Sequence, residues 1–438
     1  MAIVGIDDTD SRTQGMCTTW IATEIIRQLG SEHATYPYLI RLCPSIPHKT
    51  RGNGAVAIQT DAAPDQLAAI ATAVVDEWHV QSDPETNPGI VLLPDVRTAD
   101  SALFSFATAA IKRPMEKSAA VRAIEASDGS FTSFGNGRGI IGSTAAVGAA
   151  AAQVTDRQEA KKIGPWTVEL LAYRERDRWG TERTFTVSFE DVGDAVRSQV
   201  WDTVDPVTGD PVCIPHSPCP VGYGIRGTSL DAIKTMADGI HGEPVERIQH
   251  FLTNQGSDGH LTHARLDDVV SGRSYRVSGI VSRGPTYKEG GHVSFTITDG
   301  ESRLSCMAFS PTGRFREQVA ALIPGDRIIA DGEVTEGTLK LEKFALQARR
   351  MVRKRSPVCP SCTRRMKSAG RGQGYRCKRC DTAAPNQVNE PIERDIDPGW
   401  FEVPPGARRH LAQPLALMEA DLRRHPTSGE PTLSTYRS

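Results

Sequence analysis

The chain has 438 residues, 24% charged and 39% hydrophobic, with a formal net charge of -2. That length predicts two to four domains rather than one core. Asp7 interrupts the opening apolar run too early for a signal peptide, and no 18 apolar residues stand together. The alanine-rich STAAVGAAAAQV is too short and too weakly apolar to span a bilayer, so a cytoplasmic protein is expected. Nine cysteines, five of them scattered (Cys17, Cys43, Cys213, Cys219, Cys306), point the same way, to reduced thiols.

In chain order, MAIVGI reads as a strand ending in three carboxylates, Asp7, Asp8 and Asp10. Like charges held that close raise one another's pKa unless a cation sits among them. A helix follows, with Cys17, Ile21, Ile25 and Leu29 on one face and Gly30 as its stop. Hard oxygen ligands beside a helix N-terminus suit Mg²⁺ carrying nucleotide phosphates, and Thr18 and Thr19 stand in the first turn of that helix. The bland alternative is that these acids cap turns.

YLIRLCP and GAVAIQT are strands flanking a loop that offers Lys49 and Arg51 beside Gly52 and Gly54. A helix over 64–79 and the strand GIVLLP come next. The loop FGNGRGIIGS then offers Arg138 among Gly135, Gly137, Gly139 and Gly142, ahead of an alanine-rich helix. Glycines let backbone N–H groups approach an anion, and the cations neutralise it. Two such loops beside a carboxylate triplet predict a nucleotide triphosphate site in an α/β unit over 1–155.

From 156 to 270 the pattern suits a smaller α+β unit, with TVELLAYRERD and RTFTVSFED as strands. PVCIPHSPCP spaces Cys213, His216 and Cys219 by threes, but its four prolines and missing fourth ligand favour a pocket wall over a metal site. Asp202, Asp205, Asp258 and His260 are polar loop residues whose company alone raises interest. Residues 271–348 carry five short strands with the helix-compatible TGRFREQVAAL between the third and fourth, the order of an OB barrel.

Then CPSC and CKRC place Cys359, Cys362, Cys377 and Cys380 as two pairs fourteen residues apart, the spacing of a Zn²⁺ ribbon over 349–390. No open coordination position is evident there, so the zinc is expected to be structural. Residues 349–381 hold nine Arg and three Lys against Asp381, or +11, which leaves -13 for the rest of the chain. A basic block in an acidic protein predicts a polyanionic partner. The tail, 391–438, is proline-rich and is expected to form one helix near 409–424, interrupted by Pro414.

GIDDTDS with GMCTT, HKTRGNGAVAI, GNGRGIIG, PCPVGYGIRG, TNQGSDGHL, the barrel and the four-cysteine ribbon together resemble the archaeal tRNA(Ile) 2-agmatinylcytidine synthetases over nearly the whole chain. The resemblance implies a multidomain α/β and α+β protein: a kinase-like domain, a ferredoxin-like agmatine-binding domain, the OB fold and the zinc ribbon. It implies an ATP-dependent ligase that joins agmatine to C2 of the wobble cytidine for AUA decoding, splitting ATP into AMP and pyrophosphate while also moving its γ-phosphoryl group. Its partners would be the tRNA(Ile) anticodon loop and body and agmatine, with no membrane and no obligate protein partner.

On that basis Asp7, Asp8 and Asp10 are expected to hold Mg²⁺, and Lys49, Arg51, Gly52, Gly54, Gly137, Arg138 and Gly139 the phosphates. Thr18 matches the family's phosphorylated threonine, with Thr19 left open by spacing. Agmatine's guanidinium calls for a carboxylate fork, for which Asp202 and Asp205 are the candidates, with Arg226 in the pocket wall. Deleting 349–438 is expected to weaken tRNA binding and spare nucleotide binding. Two rival readings remain: a non-enzymatic OB and zinc-ribbon nucleic-acid-binding protein, and an ATP-dependent enzyme making a different nucleic-acid modification.

Overall fold

The computed structural model describes residues 1–50, 52–419 and 422–423. Its first 155 residues follow the sequence reading: β1 (Ala2–Asp7), α1 (Thr18–Leu29), β2 (Tyr38–Arg41), β3 (Gly54–Thr60), α2 (Pro64–Trp78), β4 (Gly89–Leu93), α3 (Ser101–Lys112), α4 (Lys117–Glu125), β5 (Ser130–Ser133) and α5 (Ile140–Thr155). α1 buries Ile21, Ile25 and Leu29 and stops at Gly30, whose φ of 91° favours glycine. Alternation along β1 serves two cores. Val4 and Ile6 pack with Trp20, Ile21, Leu67 and Val74 on one face, while Ile3 packs with Leu103, Ile124 and Val147 on the other.

The next unit does not stand apart. β6 (Thr167–Arg174) and the strands Val200–Trp201, Val221–Gly227 and Val245–Thr253 join the first five in one nine-stranded sheet. The junction is a short parallel pairing of Leu252 with Tyr38 and of Thr253 with Leu39. RTFTVSFED contributes only Thr186–Val187, paired with Ile240–His241 outside that sheet.

The barrel is present as expected. Its five strands are Arg273–Tyr287, Val293–Thr298, Arg303–Ala308, Arg327–Thr335 and Thr338–Ala348, with the helix Arg314–Ala320 between the third and fourth. Pairing of the first with the fourth closes it. Leu261–His263 and Gly399–Glu402 add two edge strands that the sequence reading did not mark. The ribbon is built from short strand pairs around Cys359, Met366 and Cys377. Among the described residues no helix is long and apolar enough to cross a membrane.

The tail corrects the sequence reading. Beyond its edge strand the described tail holds two single 3-10 turns, Pro405–Ala407 and Leu415–Leu417, where a helix from 409 was expected, and only Leu422 and Arg423 at the far end of that span are helical; residues 420, 421 and 424 lie outside the described residues. The backbone is bound elsewhere. Gly256 N donates to the His410 carbonyl at 2.9 Å, and Gln413 N donates to Asp258 Oδ1 at 2.7 Å. Leu411 is buried in the core beneath α3 and α5. Removing 349–438 would therefore strip a strap from the N-terminal units as well as the ribbon.

Candidate active site

β1 ends at Asp7, and Asp8 takes a left-handed φ of 59°. That turn ends the strand alternation, so Asp7, Asp8 and Asp10 all line one cavity of about 480 Å³, within the range of small-molecule sites. The repulsion expected from the sequence is present. Burial, then the neighbouring Asp8 charge, pushes the Asp7 carboxyl well above the usual range. Burial raises Asp8 to about 6 even though Arg138 sits on it, with Nε to Oδ2 at 3.0 Å. Thr50 Oγ1 donates to the Asp10 carboxylate at 3.0–3.1 Å.

Thr18 and Thr19 line the same cavity from the first turn of α1; the Thr18 hydroxyl lies 2.9 Å from that of Thr9. Lys49, Gly52 and Gly54 are also in the wall. Lys49 donates to the Pro44 carbonyl, and burial, followed by the Arg409 charge, lowers its pKa. Arg51 lies outside the described residues. Arg138 lines the cavity, but Gly137 and Gly139 do not. Gly139 instead lets the loop close against β4 and β1: a Cβ there would come within 2.3 Å of Gly89 N and 2.7 Å of the Asp7 carbonyl. The fork of Arg138 is spent on Asp8, Glu85 and the Glu85 carbonyl rather than left open.

The acids assigned to agmatine are corrected. Neither Asp202 nor Asp205 reaches the cavity wall. Asp202 is buried between Arg408 and Arg226. Asp205 Oδ1 accepts from Val207 N at 2.8 Å and Thr208 N at 3.3 Å, closing its own turn. Arg226 does line the cavity, and it presents Glu169, an acid the sequence reading passed over. Glu169 Oε1 accepts from Arg226 Nε at 3.1 Å, and Arg41 lies 3.6 Å from Oε2. Its sequence signal was a lone acid inside the apolar strand TVELLAYR. Gln255 and His410 were missed too, and His410 carries no local signal at all. Cys213, Pro215, Ser217 and Cys219 form part of the wall, as expected of that loop, and bring no metal ligands together among the described residues.

The second site fits its expected ion. The sulfurs of Cys359, Cys362, Cys377 and Cys380 all lie within 4.8 Å of one another, and those of Cys362 and Cys377 are 3.6 Å apart. A tetrahedron with Zn–S near 2.3 Å places sulfurs about 3.8 Å apart. Arg364, Lys367, Arg371, Lys378 and Arg379 surround it, all exposed. Arg353, Arg355 and Arg365 instead converge on Glu390.

Comparison with known proteins agrees with this architecture. Family models described as the TiaS TCKD domain, the TiaS FLD domain, an OB-fold nucleic acid binding domain and the TiaS C-terminal zinc ribbon domain match residues 3–136, 137–260, 275–351 and 356–396. The isoleucine-tRNA 2-agmatinylcytidine synthetase TiaS of Haloquadratum walsbyi is 41% identical over 96% of this chain and 98% of its own. A crystal structure of TiaS in complex with its isoleucine tRNA and ATP superposes with a TM-score of 0.83 at 38% identity, covering 97% of this chain and 99% of that one. A complex of TiaS with the same tRNA, AMPCPP and agmatine superposes at 0.80 with 36% identity, covering 97% and 98%. The fold is thus that of a multidomain enzyme with a nucleic-acid-binding barrel and ribbon. The chain belongs to the tRNA(Ile) 2-agmatinylcytidine synthetase family, TiaS.

Proposed function

We propose that this protein is an ATP-dependent ligase that joins agmatine to C2 of the wobble cytidine of tRNA(Ile), acting in the cytoplasm where that tRNA resides. One observation carries the reading: a single cavity gathers Asp7, Asp8, Asp10, Thr18, Lys49 and Arg138 from one end of the sheet and Glu169, Arg226 and Cys213 from the other. A nucleotide site and a second small-molecule site therefore share one space. A purely nucleic-acid-binding protein would leave this cavity and its strained carboxylates without use.

The C2 oxygen of cytosine is a poor leaving group, so it needs phosphoryl activation before an amine displaces it. Positioning and charge neutralisation dominate such transfers. Asp7, Asp8 and Asp10 bring three sets of hard oxygen donors to one cavity, a donor set that suits Mg²⁺, which when bound neutralises the triphosphate. Lys49 and Arg138 bring two cations to the same wall, where a phosphate chain would lie. Thr18 stands at the helix N-terminus, where a phosphoryl group is favoured. On the other side Glu169 holds Arg226 and Arg41 in the cavity wall, and its carboxylate brings an acid to the part of the cavity that would take agmatine.

The barrel and the exposed cations of the ribbon provide the grip on tRNA, by stacking and phosphate contact, while the wobble base leaves its stack to enter the cavity. The test is mass spectrometry of tRNA(Ile) incubated with the protein, ATP and agmatine. The reading predicts a wobble cytidine heavier by one agmatine less water. An unmodified cytidine under conditions of measured tRNA binding would refute it.

A further inference from the structure

The strap that the sequence reading took for a helix ends its run across the fold with one imidazole in the cavity wall. Arg408 and Arg409 anchor it from both sides. Arg408 pairs with Asp202 and, at 2.7 Å, with Glu402; Arg409 pairs with Glu333 and, at 3.2 Å, with Glu342. With Leu411 in the core and the His410 carbonyl bound by Gly256 N, residue 410 has little freedom. Its ring lies over the loop after Lys49, where a Cβ on Gly52 would stand 2.6 Å from His410 Nε2. Gly52, expected as a phosphate cradle, leaves room for that ring.

The tautomer follows from the hydrogen bonds. Glu169, held by Arg226, is a carboxylate and only accepts, so the Gln255 amide turns its NH2 toward Glu169 Oε2, at 2.5 Å. The Gln255 oxygen must then face His410 Nδ1, 3.1 Å away, and an amide oxygen only accepts. Nδ1 carries the proton, which leaves the lone pair on Nε2. That nitrogen makes no hydrogen bond among the described residues, and the ring lines the cavity.

We propose that His410 is the general base that takes a proton from the ammonium group of agmatine, an inference that rests on the function proposed above. Agmatine's amine has a lysine-like pKa of about 10 and enters protonated. His410 Nε2 accepts one ammonium proton, and the N–H electron pair stays on nitrogen. That pair forms the N–C2 bond to the activated cytidine, the C2–O bond breaks with its electrons leaving on the phosphate that carries the former C2 oxygen away, and that phosphate takes the second proton shed by the attacking nitrogen as it becomes C2–NH–R. The His410 proton then passes to the departing phosphate or to solvent. Among the described residues the charged groups facing the ring are Arg41 from β2, Lys49 from the loop before β3 and Arg226 from the strand Val221–Gly227, with Glu169 behind Gln255. Burial first, then those three cations, lowers the His410 pKa well below the ordinary value. The ring is consequently neutral throughout the neutral range, and the same three cations disfavour the ammonium form of agmatine beside it, which offsets the weakened basicity of Nε2.

The test compares two nucleophiles on full-length protein under single-turnover conditions: agmatine, and an alkoxyamine bearing the same guanidinium tail whose nitrogen is uncharged at neutral pH. His410→Gln is expected to slow agmatine conjugation about 100-fold while changing the alkoxyamine rate by less than about threefold. With agmatine its rate is expected to climb about tenfold per pH unit from 7 to 9, following the free amine, where the wild type is flat. Retained alkoxyamine turnover also reports a folded enzyme. Gly52→Ala, which sets a methyl against the Nε2 edge of the ring, is expected to slow agmatine more than the alkoxyamine. Equal slowing of both nucleophiles by His410→Gln, or an unchanged agmatine rate, overturns the proposal. A wild type that converts neither nucleophile refutes the function first.

Discussion

Two clusters of buried carboxylates in this chain have opposite character. At the end of β1, Asp7 and Asp8 are pushed up by burial, with Arg138 the cation resting on Asp8. Between the barrel and the shared sheet, Asp258 lies 2.7 Å from Lys343 and 3.0 Å from Arg276, and Arg276 lies 2.6 Å from Asp331. There too burial opposes ionisation, yet Lys343 and Arg276 outweigh it and Asp258 is lowered. Glu342, beside His260 and Arg409, is lowered in the same way. In one cluster the fold's own cations outweigh burial, and in the other, despite Arg138 on Asp8, burial wins and both Asp7 and Asp8 are raised. Burial of acids alone does not mark a site; the balance left after their partners are counted does.

The largest effect that separates the two is on turnover. Replacing Asp7, Asp8 and Asp10 together by Asn is expected to cut agmatine conjugation by about 1000-fold or more, since charge stabilisation dominates such a step. Thermal stability should hold or rise, because repulsion is removed. A drop in melting temperature, with conjugation intact, would place these acids with the structural cluster.

Next is the converse. Lys343→Met leaves Asp258 and Asp331 short of a partner and is expected to cost roughly 3–5 kcal/mol in denaturant unfolding of the barrel. A loss below about 1 kcal/mol would show that the second cluster is not self-contained.

The pH dependence has opposite sign at the two clusters. Asp8 releases its proton near 6 in the fold and near 3.9 in the unfolded chain, so stability falls as pH rises through that window, by about 3 kcal/mol. Asp8→Asn should flatten the slope between pH 4 and 6. Asp258 and Glu342, lowered in the fold, contribute stability above their unfolded pKa values and lose it as pH falls through the folded ones. Melting curves of wild type and Asp8→Asn between pH 4 and 6 check the first sign, and wild-type curves carried below pH 4 check the second.

The smallest effect concerns the ribbon. tRNA affinity should fall steeply with salt, and Arg371→Ala with Lys378→Ala should lower the log–log slope by about 2. Replacing only residues 356–396 would test the ribbon without removing the strap that holds Arg408 and His410.

What was legible in the sequence was local. Thr18–Leu29, the barrel strands and the paired ribbon cysteines each carry their pattern within a few dozen residues, so periodicity and spacing found them. The acidic triplet was legible because its repulsion is built into four consecutive positions. Asp202 and Asp205 misled because a loop acid looks alike whether free or paired. The partner that closes off Asp202 is Arg408, 206 residues away. Glu169, Gln255 and His410 meet only after a sheet junction and a returning tail bring three separate segments together.

Calorimetric binding of ATP to wild type and to the Asp7→Asn, Asp8→Asn, Asp10→Asn protein, each with and without Mg²⁺, addresses the central claim without relying on turnover. The wild type should bind ATP far more tightly with Mg²⁺, and the triple variant should lose that difference. Equal affinities in both proteins, with the same response to Mg²⁺, would contradict a cation-holding role for the cluster.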